Sequence, residues 1–245
     1  MTTQPPDTLG TCPFTIDRPV MRHRWERLTF LHWPFDPADV QRMLPTGLEA
    51  ETCDGAAWVG LVPFYMRVTP PGGQHVPWLS GFCETNVRTY VRDHEGRSGV
   101  WFLSLDAARL PAVVAGRYTP YRLPYFWSAM RLAERPGEIA YASRRRWPDP
   151  RPATARVRIG IGAPIAPGDV TPLEHFLTAR WRLFSAHAGR VVMARARHEP
   201  WLLHRAQPLI LEDHLLTAAG LPAPEGEPLT HYSPGVDVTI GRPER

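Results

Sequence analysis

Apolar positions along the chain fall mostly in short runs that alternate with polar ones and are separated by turn residues, the pattern of half-buried strands rather than of long helices. Pro5, Pro6, Pro13 and Pro19 mark residues 1–20 as an expected flexible N-terminal arm. Trp25–His32 then reads as a strand, and Asp36-Pro37-Ala38-Asp39 places a capping carboxylate before a first-turn proline. Val40, Met43 and Leu44 follow on one face of that short helix. Leu48–Cys53 and Ala56–Val68 flank Asp54-Gly55, a hairpin signal because both residues tolerate positive φ. Residues 69–80 hold Pro70-Pro71-Gly72-Gly73 and Pro77, a loop long enough to cover a site. Further strands are expected at Phe82–Asp93, Val100–Asp106, Leu123–Leu132, Glu138–Trp147 and Ala155–Ile161.

Thr171-Pro172-Leu173-Glu174 spells a capping box for a helix whose apolar stripe is Leu173, Phe176, Leu177 and Trp181. A hairpin of Arg182–Ser185 and Arg190–Arg197 turns about Gly189, a short helix covers Glu212–Ala219, and a last strand runs Val236–Ile240. About nine or ten strands with three short helices, and no strand–long-helix alternation, predict a mainly β (α+β) fold. The expected form is a closed or strongly curved antiparallel, barrel-like sheet with a few short peripheral helices, in one domain over 21–245.

Composition narrows the chemistry. The 245 residues are 43% hydrophobic and 21% charged, ordinary for a folded protein. No apolar run approaches the roughly 18 residues of a membrane helix, so no membrane partner is expected. Cys12, Cys53 and Cys83 form neither a disulfide scaffold nor a CxxC site, which suits a reducing, cytoplasmic setting. All 28 basic residues are arginine. Without lysine, no side-chain amine is present for an imine, a P-loop or a pyridoxal anchor, because guanidinium does not lose its proton near neutral pH. A net charge of +4 spread over this length does not amount to a nucleic-acid footprint. The ten histidines show no metal-ligand spacing, so neither metal nor cofactor is expected. No motif specifies an oligomeric state.

Candidate chemistry concentrates in Glu84-Thr85-Asn86-Val87-Arg88-Thr89-Tyr90-Val91, where alternation puts Glu84, Asn86, Arg88 and Tyr90 on one face. Turned inward, that face offers Arg88 as a clamp for a carboxylate and Glu84 as an acid or base; turned outward, it is a solvated strand face. Alternation in Trp101–Asp106 places Phe102, Ser104 and Asp106 together. Asp106 either pairs with an interior arginine or caps a helix over Arg109–Gly116, and the cap is the simpler reading. Tyr121, Arg122, Tyr125 and Trp127 supply aromatic and cationic groups either to a pocket or to the core. Arg144-Arg145-Arg146 reads as a solvated hairpin whose arginine stems cover apolar surface.

Several segments carry a family resemblance. Trp25–Pro34, Leu44-Pro45-Thr46-Gly47-Leu48, Trp58–Phe64, Asn86–Val91, Val100–Asp106 and Tyr232–Val238 together resemble the YqjF-like family of uncharacterised proteins (domain of unknown function 2071). The likeness runs from about residue 20 to 240. That family is similar to the acetoacetate decarboxylase-like superfamily, and the resemblance implies a curved antiparallel sheet around a pocket. It does not bring the superfamily's lysine-imine decarboxylation, because this chain has no lysine. The expected function is binding of a small anionic or carbonyl-bearing metabolite. Its expected contacts are Asn86, Arg88, Tyr90, Phe102, Ser104, Arg122 and Tyr125. The alternative is a non-imine lyase or hydrolase with Glu84 and Asp106 as catalytic acid/base and Arg88 as charge clamp.

Overall fold

The computed structural model describes residues 11–69, 80–148 and 153–244. Most of the 69–80 loop and the first half of the N-terminal arm therefore lie outside the described residues. Strands dominate: β1 (Met21–Phe35), β2 (Leu48–Ala50), β3 (Thr52–Cys53), β4 (Ala56–Thr69), β5 (Gly81–Asp93), β6 (Ser98–Ala107), β7 (Tyr125–Arg135), β8 (Glu138–Trp147), β9 (Thr154–Pro164), β10 (Arg182–His187), β11 (Arg190–His198), β12 (His204–Asp213) and β13 (Leu229–Ile240). The helices are short: α1 (Pro37–Gln41), α2 (Leu110–Tyr118), α3 (Pro172–Thr178) and α4 (Leu215–Ala218). Local signals explain two of their starts. Asp36 accepts from Ala38 N at the head of α1, and Thr171 and Glu174 complete a reciprocal capping box on α3.

Hydrogen bonding closes the sheet into two circuits. One runs β6-β7-β8-β9-β12-β13-β1-β4-β5 and returns to β6; the other runs β6-β10-β11-β13-β1-β4-β5 and returns to β6. Pairing is antiparallel except for β6 with β7 and β6 with β10. Five strands, β13, β1, β4, β5 and β6, belong to both circuits and form a wall between two interiors. Where an interior lies on each side, a wall strand has no solvent face and both of its alternating side-chain sets are buried, whereas residues such as Arg22, Arg67 and Asp237 remain exposed. Along β5, Glu84, Asn86, Arg88 and Tyr90 are buried, and so are Thr85, Val87, Thr89 and Val91.

The first interior is packed mainly with hydrocarbon. Leu31, Trp33, Val59, Leu61 and Val87 from the wall meet Ile139, Tyr141, Val157 and Ile159 from β8 and β9. The opposite face of the wall presents Leu28, Phe30, Val62, Phe64, Met66 and Phe82, and there the packing leaves a cavity.

Several local expectations change. Only Thr52 and Cys53 pair with β4 across Asp54-Gly55, while Leu48–Ala50 crosses to β5. α3 ends at Thr178, so Trp181 lies beyond it, donating its indole N–H to His198 O at 3.2 Å. β12 has no counterpart in the alternation reading, because Pro208 interrupts it; the strand carries register shifts at His204/Ala206 and Pro208/Ile210 that take up the missing N–H. β13 begins seven residues before Val236 and runs through Pro234 and Gly235. Gly235, at φ +131, lies so close to β1 that a Cβ there would sit 2.1 Å from Trp25 O. Gly235→Ala should therefore lose about 2 kcal/mol or more in urea unfolding, and a loss under about 0.5 kcal/mol would contradict this backbone approach.

Candidate functional site

The cavity has a volume of about 610 Å³ and lies within the second circuit, between the wall strands, β10, β11 and α2. Its polar side is the alternating set of β5. Glu84, Asn86 and Arg88 line it in succession, with Phe102 and Leu105 of β6 beside them.

The pairing of β5 with β6 explains which side chains of β6 arrive there. Asn86 opposes Leu105, Val87 opposes Ser104, and Arg88 opposes Phe102, so a bulge leaves Leu103 unmatched. That extra residue breaks strict alternation and turns Phe102 to the same side as Leu105. Ser104 and Asp106 share the other side with Val87 and Thr85. The expectation that Phe102, Ser104 and Asp106 share one face is thereby corrected.

Asp106 does not cap α2, whose N-cap Arg109 has no side-chain cap bond. It accepts from Arg145 Nε at 3.0 Å and Nη2 at 2.7 Å, and from Ser128 Oγ at 2.6 Å. Both charged side chains are almost wholly buried, at 0% and 3% exposure. With its oxygens committed to this pair, Asp106 is a structural anion rather than a group facing the cavity. The same pair draws Arg145 inward, whereas Arg144 and Arg146 remain exposed, so only the outer two fit the solvated reading. Arg122 is exposed and outside the cavity lining. Ser104 is buried, and its hydroxyl faces away from the cavity without a partner. Tyr90 sits behind the cavity surface. Its hydroxyl donates to Leu177 O at 2.7 Å and lies 2.6 Å from His32 Nε2, which must then be the donor to it.

Three groups on the cavity wall carry chemistry. Arg88 Nη2 lies 3.3 Å from Leu177 O and 3.5 Å from Tyr90 Oη, and its guanidinium rests 5.5 Å from the Phe30 ring centroid. Its Nε has no partner, and no carboxylate among the described residues forms an ion pair with it. Asn86 Oδ1 is likewise buried and unpartnered. Glu84 Oε2 accepts from the Tyr125 hydroxyl at 3.0 Å. Burial pushes the Glu84 carboxyl up to about 8, opposed by the Tyr125 hydrogen bond and reinforced by the Asp106 charge. Glu84 is thus mostly a neutral acid at pH 7. Tyr125 is positioned by α2, where a Cβ at Gly116 would lie 2.3 Å from its ring. Among the described residues, no group of three or more His, Cys, Asp or Glu side chains is disposed to hold a metal ion.

The rest of the lining was not marked as a site by spacing along the chain. Trp25 from β1, His198 from β11 and Trp201 from the following loop meet only in space, with the two indoles stacked 6.2 Å apart. His198 has both ring nitrogens toward backbone carbonyls, 2.7 Å from Glu199 O and 3.2 Å from Arg180 O. Arg180 also borders the cavity, but its guanidinium is spent on Glu51 and Phe176 O.

Comparison with known proteins agrees with this architecture. The fold is similar to an acetoacetate decarboxylase-like enzyme from Sphingomonas wittichii RW1, with a TM-score of 0.61 at 16% identity, covering 96% of each chain. It is also similar to the enduracididine biosynthesis enzyme MppR, with a TM-score of 0.62 at 16% identity over 93% of this chain and 88% of that one. At such identities the likeness concerns the fold. In sequence, the chain is 34% identical over 222 residues to the uncharacterized protein YqjF of Bacillus subtilis (strain 168), covering 89% of each. Residues 22–237 match the DUF2071 family model, described as "Uncharacterized conserved protein (COG2071)". The chain belongs to the DUF2071 family.

Proposed function

We propose that this protein binds a small organic anion in the cavity beside β5, with Arg88 as the charge partner, Asn86 as a hydrogen-bonding neighbour and Glu84 as a neutral acid next to them. The observation that carries this reading is the state of Arg88. A guanidinium withdrawn from water without a carboxylate is costly, and the two aromatic rings near it offset only part of that cost. An anion entering the cavity completes the pair and gives Arg88 Nε an acceptor. MppR, whose fold is similar, is described complexed with pyruvate, and that observation supports a small organic anion as the class of ligand. Cys12, Cys53 and Cys83 form no disulfide with one another, which supports a reducing, cytoplasmic setting for the protein.

Glu84 favours a second reading, turnover without an imine. A buried carboxylic acid that retains its proton near neutrality can give it to a carbonyl oxygen or carbanion held against Arg88. The two readings share one test. A panel of carboxylates is screened by isothermal titration, and the tightest binder is measured against Arg88→Gln. Loss of the charge-assisted contacts should weaken it about 10–100-fold. Equal affinity in the variant would remove Arg88, and with it the anion. Product formation that disappears in Glu84→Gln while binding persists would favour turnover.

A further inference from the structure

The cavity is larger than a short organic acid needs, and it is elongated. Along β5 its lining runs from Arg88 through Asn86 and Glu84 to Phe82, and along β4 from Val62 through Phe64 and Met66 to Val68. Six residues of strand span about 20 Å at the usual rise. The polar groups occupy one end of this length and its middle. Beyond Glu84 the apolar walls are Phe82, Met66, Val68 and Trp25, with His23 beside Val68 and the exposed Arg242 also bordering the cavity.

Among the side chains of that second end that are not exposed, polar capacity is nearly exhausted. Trp25 donates its indole N–H to His23 Nδ1 at 3.3 Å, and Trp201 donates to Thr178 O at 3.0 Å. Because His23 Nδ1 accepts, its Nε2 carries the proton, and that is one buried N–H without a partner on a residue of the lining. A ligand with hydroxyls, phosphates or a second carboxylate at this end would leave water for a wall that returns almost none of its hydrogen bonds. Charge at the first end is also limited. Arg180, paired with Glu51, and Arg182, whose Nη1 donates to Ser98 O, also border the cavity, so Arg88 is the buried guanidinium there without a carboxylate ion pair among the described residues, which matches one negative charge.

Resting on the anion-binding reading above, we propose that the ligand is an amphipathic monocarboxylate, with its carboxylate at Arg88 and the side-chain N–H of Asn86 and an extended apolar portion running past Glu84 toward Phe82, Met66 and Val68. A volume of about 610 Å³ accommodates a ligand on the order of 20 non-hydrogen atoms, well beyond acetate. The energetic division is simple: the guanidinium fixes orientation, and the apolar length supplies affinity.

The test is a homologous series. Butyrate, hexanoate, octanoate and decanoate, each below its micelle concentration, are titrated by calorimetry into the full chain, with decanamide as the uncharged control. Affinity should rise about 2–4-fold with each added methylene. Decanamide should bind at least about tenfold more weakly than decanoate, as should decanoate with Arg88→Gln. Val68→Trp, which fills the apolar end, should level the series off at a shorter chain while butyrate affinity is kept. Retention of the full chain-length dependence in a folded Val68→Trp would overturn the proposed direction. A flat series that still depends on Arg88 would overturn the apolar portion and leave anion binding standing. A rising series in which decanamide equals decanoate and Arg88→Gln changes nothing would overturn the anion reading, and this proposal with it. Absence of binding across the series would also overturn the proposal, whereas a short, polar anion binding through Arg88 in the same assay would preserve the broader reading.

Discussion

Arg145→Met is expected to destabilise the protein by about 3–5 kcal/mol, because it leaves the Asp106 carboxylate buried without its cation. The remaining hydrogen bond from Ser128 Oγ cannot replace two guanidinium contacts. The variant also loses the packing of the guanidinium over the Phe126 ring, 3.6 Å from its centroid. The double variant Asp106→Leu/Arg145→Met removes both charges and should recover much of the loss, since replacing a buried ion pair by apolar groups of similar volume is often close to neutral. Urea unfolding of the wild type, the single variant and the double variant measures this. A loss below about 1 kcal/mol in the single variant would mean that Asp106 finds water or another donor.

Glu84→Gln should act in the opposite direction, by an amount that grows as pH rises from about 4.5 toward 8. The folded-state value of about 8 lies above the ordinary 4.5, so the native protein holds this proton where the unfolded chain has lost it. Stability from this group is complete below about pH 4.5 and is lost as pH rises through about 8. Glutamine has no charge to bury and still offers an oxygen to the Tyr125 hydroxyl. The variant should therefore match the wild type near pH 4 and exceed it at pH 8–9, by an amount on the order of 4 kcal/mol. Anion affinity should fall in the wild type as pH passes about 8, since ionised Glu84 would then share the cavity wall with the bound anion. Calorimetric titrations from pH 6 to pH 9 should show that fall in the wild type and not in Glu84→Gln. Parallel pH profiles for the two proteins would show that Glu84 ionises normally.

These effects arise from residues whose types were legible along the chain and whose environments were not. Alternation groups Glu84, Asn86, Arg88 and Tyr90 on one face of a strand, and that grouping depends only on backbone geometry. It does not say whether the face meets water. The answer comes from β5 lying in a wall between two closed circuits, a consequence of β10 and β11 joining β6 to β13. Asp106 shows the same limit. Its place near the end of an apolar strand suits a helix cap, but Arg145, thirty-nine positions further on, arrives through the β6–β7 and β7–β8 pairings. The Leu103 bulge is equally silent in the sequence, and it decides that Phe102 rather than Ser104 reaches the cavity.

The strand-rich class, the hairpin turn at Asp54-Gly55, the cap at Asp36 and the capping box at Thr171 and Glu174 were set by neighbours a few residues apart, because local sterics and short-range hydrogen bonds suffice for them. The absence of any lysine imine was settled by composition alone. The division into one packed interior and one hollow one, the burial of Arg88 without a carboxylate and the rise of the Glu84 carboxyl needed the closed sheet. Desolvation and ion pairing depend on what surrounds a group in space, and in this fold those surroundings are brought together by strands far apart in the chain.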